Sequence, residues 1–115
     1  MLVVDDEPDI RLIARVVLTS AGHEVKEAGS GEEAVAQVDA GRPDLMLLDV
    51  RMPGMDGWAV LDHVRDKHEG LPVVVFTADV RARAEARREW RASEHLLVKP
   101  FGPDELLAAV DAAIM

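Results

Sequence analysis

Apolar and polar positions follow two rhythms along this chain, and the change from one to the other marks its elements. Short, strand-length runs at Met1 to Val4, Glu24 to Ala28, Leu45 to Leu48, Val73 to Phe76 and His95 to Val98 predict five strands. Several of them are continuously apolar, as strands covered on both faces should be. Between and after them the apolar residues recur with a helical period, which predicts helices near Pro8 to Ala21, Gly31 to Ala40, Gly57 to Lys67, Arg81 to Arg91 and Pro103 to Ala113. Pro8 suits a first helical turn, Ser30 suits a cap, and Gly22, Gly41 and Gly70 stand where helices should stop. Strict strand-helix alternation predicts an α/β fold: a parallel, doubly wound sheet with helices on both faces. On the first helix, Ile10, Ile13, Ala14, Val17 and Leu18 make the stripe expected to face the sheet. Leu12 and Val16 fall on the opposite side.

A chain of 115 residues is the size of one domain, so a single domain over residues 1–115 with one packed unit is expected, and no linker, repeat or low-complexity segment divides it. No apolar run approaches the ~18 residues of a membrane span, and no signal-peptide pattern opens the chain, so a soluble cytoplasmic protein is the expectation. The absence of cysteine removes disulfides, thiolate metal sites and cysteine nucleophiles. A formal charge of −9 argues against sequence-independent nucleic-acid binding, which needs a basic surface.

In an open parallel sheet, ligands sit beyond the carboxyl ends of the strands. The polar residues that follow the apolar runs are therefore the informative ones. Asp5, Asp6 and Glu7 follow the first strand, Asp49 the third, Thr77 the fourth, and Lys99 with Pro100 the fifth. Singly, each has an ordinary reading as a cap, a turn residue or a solvated charge. Together they bring three aspartates, a hydroxyl and an ammonium to one edge. Close carboxylates repel unless one is protonated or a cation binds, and a carboxylate-rich set without His or Cys suits Mg²⁺, or Mn²⁺, better than zinc. Such a site fits phosphoryl transfer, with Asp49 as nucleophile and Thr77 and Lys99 on the phosphoryl oxygens.

The motifs Val3-Val4-Asp5-Asp6-Glu7, Leu47-Leu48-Asp49-Val50-Arg51-Met52-Pro53-Gly54-Met55-Asp56-Gly57, Phe76-Thr77-Ala78 and Lys99-Pro100-Phe101 resemble the response-regulator receiver family of two-component signalling, from one end of the chain to the other. The resemblance implies a flavodoxin-like (βα)₅ fold with strand order 2-1-3-4-5. It also implies roles: Asp49 as phosphoacceptor, Mg²⁺ held by Asp6, Asp49 and the backbone carbonyl of Arg51, Asp5 reaching it through water, Thr77 and Lys99 contacting the phosphoryl group, and a cis peptide before Pro100. Donors in this family are histidine kinases or histidine phosphotransfer proteins. The receiver catalyses only its own phosphorylation and dephosphorylation, and its output is a change of the face made by the fourth helix, fifth strand and fifth helix.

Several features bear on how such a chain meets its partners. Leu96 stands where many relatives carry a Tyr or Phe switch residue, and the chain has no tyrosine. Arg81, Arg83, Arg87, Arg88 and Arg91 outweigh Glu85 and Glu89 and, with Trp90 beside them, make the fourth helical stretch locally basic, either as a solvated face or as a docking surface for an output partner or a second copy. Leu12 and Val16 are candidate donor contacts, since the family's first helix packs on the donor. Arg51 and Asp79 are candidates to meet over the phosphorylation site. Two other classes were weighed. A haloacid-type hydrolase needs a second Asp two residues past the nucleophile, where this chain has Arg51; a flavodoxin-type module needs amide and hydroxyl donors where this chain is acidic. A receiver-like interaction module that is never phosphorylated is the remaining rival.

Overall fold

The computed structural model describes residues 1–50, 52, 54, 57–77, 94–98 and 102–114, with only the backbone described at Thr77, Glu94, Leu96 and Val98. The elements in chain order are β1 (Leu2–Val4), α1 (Pro8–Ser20), β2 (Lys26–Ala28), α2 (Gly31–Ala40), β3 (Met46–Asp49), α3 (Gly57–Lys67), β4 (Val73–Thr77), β5 (Glu94–Val98) and a C-terminal helix (Pro103–Ile114). All strand pairs are parallel. The sheet order is β2-β1-β3-β4-β5, as expected for the doubly wound (βα)₅ arrangement. The expected fourth helix, with Arg81, Arg87, Arg88, Trp90 and Arg91, lies outside the described residues, as do Asp79, Arg51, Lys99 and Pro100.

The strand alternation sorts the core into two layers. Leu2, Val4, Met46, Leu48, Val73 and Val75 pack with Ala34, Val38, Val60, Leu61 and Val64 from α2 and α3. Their neighbours Val3, Leu45, Leu47, Val74 and Phe76 face the other way, onto Ala14 and Leu18 of α1 and Leu106 and Val110 of the C-terminal helix. A period of two in the strands thus meets a helical period on each side, and every described side chain of β1, β3 and β4 is buried.

Local chemistry sets the helix ends. Ser30 caps α2, its Oγ accepting from the Glu33 backbone N–H at 3.1 Å, while the Glu33 Oε2 accepts from the Gly29 N–H at 3.1 Å. This is close to a capping box. The end of α1 is closed by the His23 N–H donating to the Leu18 carbonyl and the Gly22 N–H donating to the Thr19 carbonyl, both at 3.0 Å. Gly22 has φ +94°, the left-handed residue that such a Schellman closure requires.

One helix expectation is corrected. Ile13 was expected on the sheet face of α1, yet it is 50% exposed. Ala14 and Leu18 are buried, with Ile10 and Val17 packed against the same core. At about 100° per residue, Ile13 lies some 85° off the centre of that arc, which is too far round to reach the sheet. It joins Leu12 and Val16, 46% and 54% exposed, in one outward apolar patch.

Candidate functional site

Parallel register delivers the acidic residues to one edge. Val4 of β1 pairs with Leu48 of β3, so Asp5 and Asp49 leave adjacent strands side by side. Asp49 pairs with Phe76, and Thr77, the last residue of β4, pairs with Val98 of β5. The backbone therefore carries Thr77 to the same edge. Lys99, next along β5, falls outside the described residues.

The carboxylates of Asp5, Asp6 and Asp49 each place an oxygen within 4.8 Å of the other two. Asp5 is 0% and Asp49 4% exposed, whereas Asp6 is open to solvent. Carboxylates this close repel, and a hard cation bound by oxygen ligands offsets that repulsion. The donor set, all carboxylate and accessible through Asp6, fits Mg²⁺.

Asp5 is held from the backbone up. The Glu7 N–H donates to Asp5 Oδ1 at 2.9 Å, which turns the acidic side chain inward before α1 begins. Arg11 in the first turn of α1 donates from Nη1 to the Asp5 carbonyl at 2.6 Å and from Nε to Glu27 Oε1 at 3.2 Å. Arg15 Nη1 lies 3.4 Å from Glu27 Oε2. Arg11 thus ties the loop after β1 to β2, and Arg15 joins α1 to the same Glu27.

Beyond Asp49, Val50 and Met52 are buried, and the Gly57 N–H donates to the Val50 carbonyl at 3.2 Å. A Cβ at Gly57 would overlap the Asp49 carbonyl oxygen and the Val50 Cα. Only glycine lets α3 start against the backbone that carries Asp49. Arg11, Glu27 and Gly57 were not singled out as supports by sequence reasoning; Gly57 appeared only as a motif and helix-boundary residue. Arg11 and Glu27 meet only because α1 packs over β2, and nothing local announces that. Among the described residues, every buried side-chain N or O atom has a hydrogen-bond partner.

The three aspartates thus gather at the carboxyl edge of a doubly wound parallel sheet, where the donor set could hold a hard cation. The sequence model of the response regulator receiver domain matches residues 1–111, and the chain belongs to that family. Over 112 residues it is 38% identical to the DNA-binding transcriptional regulator NtrC of Klebsiella pneumoniae, covering 97% of this chain and 24% of that protein. Over 114 residues it is 35% identical to the transcriptional regulatory protein ResD of Bacillus subtilis, covering 99% of this chain and 47% of that one. The chain therefore spans from about a quarter to about a half of these curated relatives. Among solved structures, the response regulator TrrA of Thermotoga maritima, in complex with Mg²⁺-BeF, superposes with TM-score 0.88 at 38% identity, covering 97% of this chain and 96% of that one. The receiver domain of NtrX from Brucella abortus gives 0.85 at 33% identity, covering 98% and 96%. Among the described residues no helix is long and apolar enough to cross a membrane.

Proposed function

We propose that this receiver domain takes a phosphoryl group onto a carboxylate oxygen of Asp49 and changes a partner-binding face in response. The observation that carries this reading is the convergence of Asp5, Asp6 and Asp49 at one strand edge, with two of the three buried. The donor is a phosphohistidine on a histidine kinase or phosphotransfer protein. An Asp49 oxygen attacks phosphorus, the P–N bond breaks, and the donor imidazole leaves with its electron pair. Asp49 becomes an acyl phosphate, and water later hydrolyses it.

Asp6, Asp49 and the Arg51 carbonyl would hold Mg²⁺, with Asp5 behind them; the ion supplies charge neutralisation for the phosphoryl oxygens. Asp5, fixed by the Glu7 N–H, positions the acidic edge. Lys99 and the Thr77 hydroxyl take the phosphoryl oxygens on the β4–β5 side. Arg51 and Asp79 would meet over the phosphorylated Asp49 and limit water attack. The output face comprises the 81–91 segment, with Arg81, Arg87, Arg88, Trp90 and Arg91, together with β5 and the C-terminal helix, and Leu96 replaces the aromatic switch by repacking. On the input side, the exposed Leu12, Ile13 and Val16 of α1 meet the donor's helices.

The test is intact-protein mass spectrometry after incubation with acetyl phosphate and Mg²⁺. A gain of one phosphate that is lost in Asp49→Asn and in EDTA supports the proposal. No gain from acetyl phosphate or from a phosphohistidine donor would assign the chain to a receiver fold used only for interaction.

A further inference from the structure

At the opposite end of the sheet from the acidic edge, three side chains from separate segments converge on one point. Asp39 is in the last turn of α2, His63 in α3, and His68 just beyond the end of α3. Asp39 Oδ1 lies 2.9 Å from His63 Nε2 and 2.7 Å from His68 Nε2. The imidazole centroids are 6.0 Å apart and the rings are tilted by 51°. One carboxylate oxygen and two ring nitrogens thus lie within 4.8 Å of one another.

The backbone around the cluster is fixed independently of it. The His68 N–H donates to the Val64 carbonyl at 2.8 Å, and the His68 carbonyl accepts from the Leu71 N–H at 3.1 Å. Val38 and Val64, next to Asp39 and His63, are buried in the same apolar layer. The side chains are only partly covered, at 17% exposure for His68, 26% for His63 and 47% for Asp39, so an ion can enter.

We propose that Asp39, His63 and His68 form a second metal site, selective for a divalent transition ion of the zinc class and independent of the Mg²⁺ edge. The donor set decides the class: two imidazoles and one carboxylate suit Zn²⁺, Ni²⁺ or Cu²⁺, whereas Mg²⁺ favours oxygen. Bond lengths of about 2.0–2.1 Å in a tetrahedral site put ligand atoms ~3.3 Å apart. The present 2.7 and 2.9 Å contacts need only a small opening as the ion replaces the protons at Nε2. The fourth position goes to water. A bound ion would tie the end of α2 to the turn between α3 and β4.

The experiment is calorimetric titration of the metal-stripped chain with Zn²⁺ in excess Mg²⁺, paired with the visible absorption of its Co²⁺ form. We expect one Zn²⁺ per chain, retained in Asp49→Asn and in His23→Gln. His63→Gln and His68→Gln should each weaken binding by at least the ~10–100-fold that follows loss of even an outer-shell partner. The Co²⁺ form of the unaltered chain should show the intense bands of tetrahedral coordination. Zn²⁺ binding that is absent, or that survives in the His63→Gln/His68→Gln double variant, would overturn the proposal and leave the trio as a hydrogen-bonded surface cluster. A weak octahedral Co²⁺ spectrum would overturn it too, even if a variant failed to fold.

Discussion

Replacing Asp5 by asparagine should stabilise the metal-free domain while weakening its response to Mg²⁺. The Asp5, Asp6 and Asp49 oxygens lie within 4.8 Å of one another, where two charges at an effective dielectric of about 20 repel by ~3 kcal/mol. Asn is isosteric, and its Oδ1 keeps the hydrogen bond from the Glu7 N–H; the change therefore removes charge with little loss of packing. Screening by water at the open Asp6 side reduces the gain to ~1–2 kcal/mol, or about 4–10 °C in Tm for a domain of this size. Thermal melts in EDTA and in Mg²⁺, followed by circular dichroism, separate the two effects. The unaltered chain should gain stability with Mg²⁺ by mass action, ~1.4 kcal/mol for each tenfold excess over Kd. Asp5→Asn should start higher and gain less. An Asp5→Asn melt in EDTA at or below the parent's would refute the idea that this edge is held under charge repulsion.

Other substitutions test the supports. Gly57→Ala forces a Cβ into the Asp49 carbonyl and Val50 Cα, and should cost ~3 kcal/mol in urea unfolding. Ser30→Ala removes the acceptor for the Glu33 N–H and should cost about 1 kcal/mol. Leu12→Ala, Ile13→Ala and Val16→Ala together lie on the exposed side of α1, so stability should fall by ~1 kcal/mol or less. Transfer from the cognate phosphohistidine donor should slow while phosphorylation by acetyl phosphate does not; equal rates with both donors would remove this face from donor recognition.

The sheet was legible because its strands are short apolar runs bounded by polar residues, with boundaries within one or two positions of those observed. β2 shows the limit: Glu24 and Val25 read as strand, but only Lys26–Ala28 pairs with β1. That edge strand has one neighbour, and its length is set by how far β1 extends. The acidic edge was legible for the same reason as the sheet, since residues after parallel strands must share an edge. Periodicity misassigned Ile13 because the i, i+3, i+4 pattern admits a residue roughly 85° from the centre of the arc that Ile10, Ala14, Val17 and Leu18 bury. The Arg11–Glu27 pair and the His63–Asp39–His68 cluster join residues far apart in sequence, and their meeting depends on how helices pack on one another and on the sheet.

The most direct test of the account is to trap the phosphorylated state chemically. Borohydride reduces an aspartyl phosphate to homoserine, and peptide mass spectrometry then locates the altered residue. After acetyl phosphate and Mg²⁺, homoserine should appear at position 49 and at no other aspartate, and should vanish when EDTA is added first. Homoserine at position 5 or 6, or modification that persists without metal, would contradict the assignment of Asp49 as the phosphoacceptor at a cation-dependent edge.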